Sequence, residues 1–328
     1  MKTFGRLALA AMLAAALPAG AQALEINLGH TLAPDSHYNA AAQKFKEVVE
    51  AGSKGEITVS IFPQSQLGGE VKMIQSARTG AIGAFITAAP PLENTLPEFS
   101  VFSLPYLFDT VDQANAVLQG EVGRSFLDKL SDAGLVGLNF FSVFERSVGG
   151  SRAINTVEDM RGMKIRVLQG PGFIQTYDAL GAQATPMAYS EVFVALQNGV
   201  VDGLETSPEQ AVQDKFVEVI KNFSITKIHH MPSLLVMSKP IFDGLTPEQQ
   251  ALVKDAAQQA VQASIDTYKK TRADALVTMK TQGIAVNEPD LAAFQEKAKA
   301  LWPQLLANIP NGQANLDRIQ AAAGAAGK

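Results

Sequence analysis

The 328-residue chain contains no cysteine, which excludes a disulfide framework, a thiol nucleophile and a thiolate zinc site. That absence leaves the compartment open, because exported proteins also do without the residue. Histidine is scarce as well. His30, His37, His229 and His230 have no partners at metal-ligand spacing, so no metal site is expected. The chain lacks a G-x-S-x-G elbow, a Walker loop, a G-x-G-x-x-G turn and an H-E-x-x-H helix, so no cofactor is expected either. No pair of carboxylates stands out as an acid–base couple, and nothing marks an enzyme. Beyond the N-terminus no apolar run reaches the roughly 18 residues of a spanning helix, so no stable membrane insertion is expected. Charged residues make up only 18% and the formal net charge is −5, which gives no electrostatic footprint for nucleic acid.

The N-terminus has the three parts of a secretory signal in order. Lys2 and Arg6 make it positive, and residues 7–17 form an unbroken apolar run. After the break at Pro18, Ala21-Gln22-Ala23 supplies a small-x-small cleavage pattern. The reading is a cleaved signal peptide over 1–23, a mature start near Leu24 and a periplasmic location. Cleavage removes two positive charges and takes the net charge from −5 to −7. If such a protein binds an anion, local positive groups must attract it, because the overall field is weakly repulsive.

Hydrophobic residues make up 47%, enough for a substantial core across two domains of ordinary size. Residues 25–29 alternate as a strand. Ser36 is placed to cap a helix with Tyr38, Ala42, Phe45, Val48 and Val49 on one face, and Gly52 ends it. Residues 57–62 and 82–87 read as strands around a helix at 70–79. This β-α-β-α-β order implies a parallel sheet with helices on both faces. Phe99, Phe102 and Phe108, in a proline-punctuated stretch, read as core. Helices near 111–118 and 121–132 precede a strand at 135–141. A second β/α unit follows, with strands at 163–168, 184–187 and 200–205 and helices near 172–180 and 191–198. Two such halves, joined by strands that pass between them, place a cleft at the strand ends. One helix runs from Pro247 to about Gln282, with Thr246 and Gln249 as a capping box and Gly283 as its stop. At ~1.5 Å per residue it spans roughly 54 Å, enough to run along both halves. The alanine- and glycine-rich tail, 321–328, is expected to fray.

Two arginines are the candidate binding groups. Met163, Ile165 and Val167 alternate with Lys164 and Arg166, and Gln169-Gly170-Pro171-Gly172 ends that strand. A guanidinium beside a glycine-rich loop is well placed to hold a carboxylate with two parallel hydrogen bonds. Arg146 lies near the end of another short apolar run. Composition alone favours reading both as solvated strand-edge charges, since most arginines are surface residues. Tyr189, before a helix start, is either core or a ring presented to a ligand. His30 directly follows the first strand, where the cleft belongs, whereas Glu70 opens a helix whose dipole alone accounts for it. Adjacent His229 and His230 point to opposite faces of a strand, so at most one faces a ligand.

The segments Gln66-Leu67-Gly68-Gly69-Glu70, Phe102-Ser103-Leu104-Pro105-Tyr106, Met160 to Val167, Leu180-Gly181-Ala182, Thr185 to Phe193 and Ala195 to Glu205 occur in this order. Together they make the chain resemble the substrate-binding proteins of TRAP (tripartite ATP-independent periplasmic) transporters, of the C4-dicarboxylate-binding type, over essentially the whole mature length. The resemblance implies a two-domain, periplasmic-binding-protein-like α/β fold with hinge strands and a long helix spanning both domains. It implies a non-enzymatic protein that closes over a small organic anion and delivers it to the TRAP transporter membrane subunits. The corresponding division is 24–143 plus about 232–271 for domain I and 144–231 plus about 272–328 for domain II.

By the same resemblance Arg166 takes the ligand carboxylate, Arg146 contacts the same ligand and Tyr189 packs on it. His30 and Glu70 lie where first-domain residues often face the cleft, as contacts for hydroxyls or an amine. Thr206 departs from the family's usual asparagine, keeping a hydroxyl but losing the amide's paired donor and acceptor. Thr87-Ala88-Ala89-Pro90 lacks the acidic contact of some sialic-acid-binding members, which argues against sialic acid. The expected ligand is a dicarboxylate, hydroxy acid or sugar acid, and two arginines also permit a sulfonate or phosphate ester. Two other readings stay open: a binding protein for a chemoreceptor or sensor kinase, and an exported enzyme using the same cleft.

Overall fold

The computed structural model describes residues 23–326. The expected signal peptide, apart from its last residue, and the last two residues of the tail lie outside the described residues. Strand β1 (Leu24–Gly29) buries Ile26 and Leu28, as its alternation predicts. Ser36 caps α1 (His37–Gly52) by accepting from the Asn39 N–H, and the helix buries Tyr38, Ala42, Phe45 and Val49. There follow β2 (Ile57–Phe62), α2 (Glu70–Arg78), β3 (Ala84–Ala88), α3 (Val111–Gln119), α4 (Glu121–Lys129) and β4 (Leu135–Phe140). Phe99, Phe102 and Phe108 are core, with Phe102 also packed against Phe126 and Phe140.

The second half contains β5 (Phe144–Gly150), β6 (Lys164–Val167), α5 (Pro171–Ala179), β7 (Gln183–Pro186), α6 (Val192–Gln197), β8 (Gly203–Thr206) and α7 (Pro208–Gln213). It continues with β9 (Asn222–Met231), β10 (Ser233–Ser238), α8 (Lys239–Asp243), α9 (Pro247–Thr281) and β11 (Ala285–Asn287). Helices α10 (Leu291–Lys299), α11 (Trp302–Leu306) and α12 (Gly312–Ala326) complete it.

Two sheets result. The first has the order β2-β1-β3-β10-β4 and the second β11-β9-β5-β8-β6-β7. β1 runs parallel to β2 and β3, as expected. The first sheet is nevertheless mixed, because β10 returns from the far end of the chain and inserts antiparallel between β3 and β4. Local alternation cannot report that return. The chain crosses between the sheets where β4 leads into β5 and where β9 leads into β10 through Pro232. Helix α9 is a third tie. Thr246 and Gln249 form its capping box, and it packs on α1 and β4 of the first half and on α7 and β11 of the second. This is the two-domain α/β architecture with a long spanning helix.

The C-terminal segment differs from expectation at two points. α10 packs on β9, but α12 packs on α3 and α4, so residues 312–326 lie with the first sheet and not with the second. The alanine-rich end, expected to fray, is helical to Ala326 and buries Ala323. Alanine has the highest helix propensity, and its small side chain allows close packing.

The glycine of Asp202-Gly203-Leu204-Glu205 has a steric reason. Gly203 pairs with Gly150 across β8 and β5, and a Cβ on Gly203 would lie 2.7 Å from the Gly149 carbonyl oxygen. Gly203→Ala therefore forces apart the strands that carry Arg146 and Glu205. The expected cost is about 1–3 kcal/mol in urea unfolding.

Glu93, 2% exposed, joins the two halves by accepting the Gly172 N–H at the start of α5 (2.6 Å) and the Ser100 hydroxyl (3.0 Å). Burial pushes its carboxyl up from 4.5 to about 7 despite these bonds. Between those values the folded protein keeps a proton that the unfolded chain releases, so stability falls as pH rises through that window. Glu93→Gln should remove this slope. In unfolding at pH 4 and pH 8, wild type should lose up to roughly 3 kcal/mol more than the variant.

Candidate functional site

A cavity of about 240 Å³ lies between the two sheets. Tyr38 of α1, Glu70 at the start of α2 and Ala88 at the end of β3 wall one side. Arg146 of β5, Arg166 of β6, Tyr189 and Gln210 of α7 wall the other. Two larger hollows have the wrong electrostatics for an anion. One of about 600 Å³ has the Glu93 carboxyl and no cationic side chain on its wall. In another of about 880 Å³, Arg272 and Lys227 face Glu145, and Lys269 pairs with Asp112.

The arginines are not solvated strand-edge charges. Arg146 is 2% exposed and Arg166 1%, so the compositional reading of both is overturned by burial. Strand β8 lies between the strands that carry them. Arg146 Nε donates to Glu205 Oε1 at 2.5 Å, Nη2 to the Glu205 carbonyl at 2.5 Å and Nη1 to Gln210 Oε1 at 2.8 Å. Burial pulls against its charge, but the adjoining Glu205 carboxylate outweighs this and holds the guanidinium above its ordinary pKa.

Arg166 has no such partner. Its Nε and Nη2 both donate to the Met187 carbonyl, at 3.3 and 2.9 Å, and its buried Nη1 has no hydrogen-bond partner among the described residues. Burial, then the nearby Arg146 charge, pull its pKa down to about 10, so it remains a cation at neutral pH. A buried, incompletely paired charge of this kind is costly unless something satisfies it.

Tyr189 lies with its ring 5.5 Å from the Arg166 guanidinium carbon, and its hydroxyl donates to Asp214 Oδ2 at 2.7 Å. Glu70 accepts from the Thr87 hydroxyl and the Ala88 N–H, both at 3.2 Å, while burial pushes its carboxyl pKa up. Glu70 thus sets a carboxyl group against the small residues Thr87 and Ala88. Four of the six candidate residues, Arg146, Arg166, Tyr189 and Glu70, therefore share one wall-lined space.

Thr206 and His30 are set back from it. Thr206 is fully buried and donates to Gln210 Oε1 at 3.2 Å. His30 Nε2 lies 3.3 Å from Asn39 Oδ1, behind Tyr38, and burial pulls its pKa down to about 4, so the ring is neutral. His229 stacks on Phe173 at 4.1 Å and reaches the Ser103 carbonyl, and His230 reaches the Phe108 carbonyl. Neither lines the cavity.

Sequence reasoning missed Gln210, Tyr38 and the role of Glu205. From the sequence Tyr38 is only one residue of a helix face. Gln210 stands four residues after Thr206, a spacing that acquires meaning only once α7 begins directly after β8.

Two α/β domains tied by crossing strands, with an incompletely paired buried cation in the space between them, define a solute-binding protein. The chain belongs to the bacterial extracellular solute-binding protein family 7 (DctP), which residues 28–308 match. This is a family of non-enzymatic TRAP periplasmic binding proteins. The chain is 30% identical over 306 residues to the C4-dicarboxylate-binding periplasmic protein DctP of Rhodobacter capsulatus, covering 92% of this chain and 90% of that protein. Its fold is similar to the sugar acid binding protein DctPAm of Advenella mimigardefordensis in complex with galactonate, with a TM-score of 0.89, 31% identity, and coverage of 93% and 99%. A TRAP solute binding protein of a Polaromonas species bound to D-erythronate gives a TM-score of 0.87 at 30% identity, with coverage of 92% and 98%. These relatives take dicarboxylates and sugar acids alike, so membership does not single out the C4-dicarboxylate type.

Glu205→Gln leaves Arg146 buried without its counter-charge. The expected loss is about 3–5 kcal/mol of stability, read as a lowered thermal midpoint in the absence of any organic acid.

Proposed function

We propose that this protein captures a small hydroxy or sugar acid in the periplasm and delivers it to a TRAP-type membrane permease. The observation that carries the reading is the buried Arg166 guanidinium, which lines the interdomain cavity and whose Nη1 has no hydrogen-bond partner among the described residues. A ligand carboxylate completes that edge with charge-assisted hydrogen bonds of about 1.5–3 kcal/mol each. Arg146, fixed by Glu205, supports the anion with a second positive charge, and Tyr189 packs beside it. Thr206 and His30 act from behind the wall.

The charge count favours one acid group over two. Of the two cations, Arg146 already has a carboxylate partner, and Glu70 adds an acidic group to the opposite wall. A second ligand carboxylate facing Glu70 finds no cation there, whereas a hydroxyl finds an acceptor. The galactonate and D-erythronate found in similar proteins are of this kind. The two domains, 24–143 plus about 232–271 and 144–231 plus most of the remainder, close about the crossing strands. The ligand stabilises the closed state through its greater affinity for it.

Arg166→Lys replaces a planar fork by a point charge and loses the two-point contact. In calorimetry with D-galactonate and D-erythronate, binding should weaken by roughly tenfold to a hundredfold. Affinity close to wild type would count against Arg166 as the carboxylate group.

A further inference from the structure

We infer that Gln210 supplies the amide that Thr206 lacks, and that its NH₂ group donates to an oxygen on the carbon next to the ligand's acid group. This rests on the carboxylate being held at Arg166. Guanidinium groups only donate, so the 2.8 Å contact from Arg146 Nη1 requires Gln210 to present its oxygen there. The Thr206 hydroxyl donates to the same oxygen at 3.2 Å. Two donors on one oxygen set the orientation of the amide and turn the NH₂ away from both. Gln210 is 2% exposed and lines the cavity, and no hydrogen bond joins that NH₂ to another described residue.

The replacement is local. β8 ends at Thr206, Ser207 follows, and Pro208 starts α7 with the backbone angle its first turn needs. Gln210 therefore returns over the end of β8, beside Arg146 and on the same cavity wall as Arg166. A side chain one turn into the helix thus reaches the region that a longer residue at 206 would occupy from the strand. Thr206 is a positioning residue in this arrangement, and it acts through Gln210.

The ligand chemistry follows. A carboxylate gripped by the Arg166 fork has both oxygens engaged, so the next acceptor outward is on C2. A hydroxyl or keto oxygen satisfies the Gln210 NH₂, and a bare methylene leaves it unpaired. Sites built to hydrogen-bond a substrate group reject analogues that lack the group. The geometry thus selects 2-oxygenated acids over plain carboxylates such as succinate.

The test compares D-erythronate and D-galactonate, each with its 2-deoxy counterpart, by calorimetry. Wild type should prefer each 2-hydroxy acid by tenfold or more. Gln210→Ala should weaken binding of the hydroxy acids at least tenfold and bring each pair to within about threefold. Gln210→Met keeps the length of the side chain but has no NH₂ to donate, so it should also abolish the preference. Thr206→Val should cost a few-fold in wild type and nothing further in Gln210→Ala, since both changes act on one contact. Retention of the 2-hydroxy preference by either folded Gln210 variant overturns the inference. Wild type that binds these acids without that preference overturns it too, and leaves the carboxylate reading intact. Wild type that binds none of the four acids removes the hydroxy-acid reading itself.

Discussion

Two guanidinium groups lie close together in a space that water barely reaches, and only one has a carboxylate of its own. Glu205 neutralises Arg146 through a side-chain contact and a backbone carbonyl, which fixes the group and keeps it charged. Arg166 is held by a neutral carbonyl and pairs directly with no carboxylate among the described residues, so its charge is directed and only partly compensated. The difference between the two sets the sign of the site in a protein whose net charge is negative. Without Glu205, the two cations would repel across a low-dielectric gap. With a carboxylate for each, little would remain to attract an anion.

The scaffold is arranged to make that site and to let it open. β8 lies between the arginine strands and contributes Glu205, so the ion pair is formed within one sheet and does not depend on closure. Tyr38, Glu70 and Ala88, by contrast, arrive from the first sheet's side. The crossing connections between β4 and β5 and between β9 and β10 are short. Only three residues separate the end of β4 from the start of β5, so the distance between hinge and site is small. A single long helix packed on both halves limits the relative movements available to them.

Much of this was legible in the chain. Alternation at 25–29 and 163–168, the Ser36 cap and the Thr246–Gln249 capping box each depend on residues within one turn or strand, and each occurs where local chemistry puts it. The insertion of β10 and the packing of α12 on the first half were not legible, because both depend on contacts between distant parts of the chain. Low complexity at 321–326 reads as a loose tail by composition, yet a helix of alanines needs only a neighbouring surface to become ordered.

The site divides along the same line. The amino-acid sequence by itself determined the α/β class and the long helix, since periodicity, capping and turn chemistry are properties of neighbouring residues. Only the tertiary structure decided that those arginines are buried, that Glu205 answers one of them, and that Gln210 rather than Thr206 faces the cavity. Burial and charge compensation are set by groups that meet through space, and no spacing along a strand reports the dielectric around a side chain or the partner it finds there.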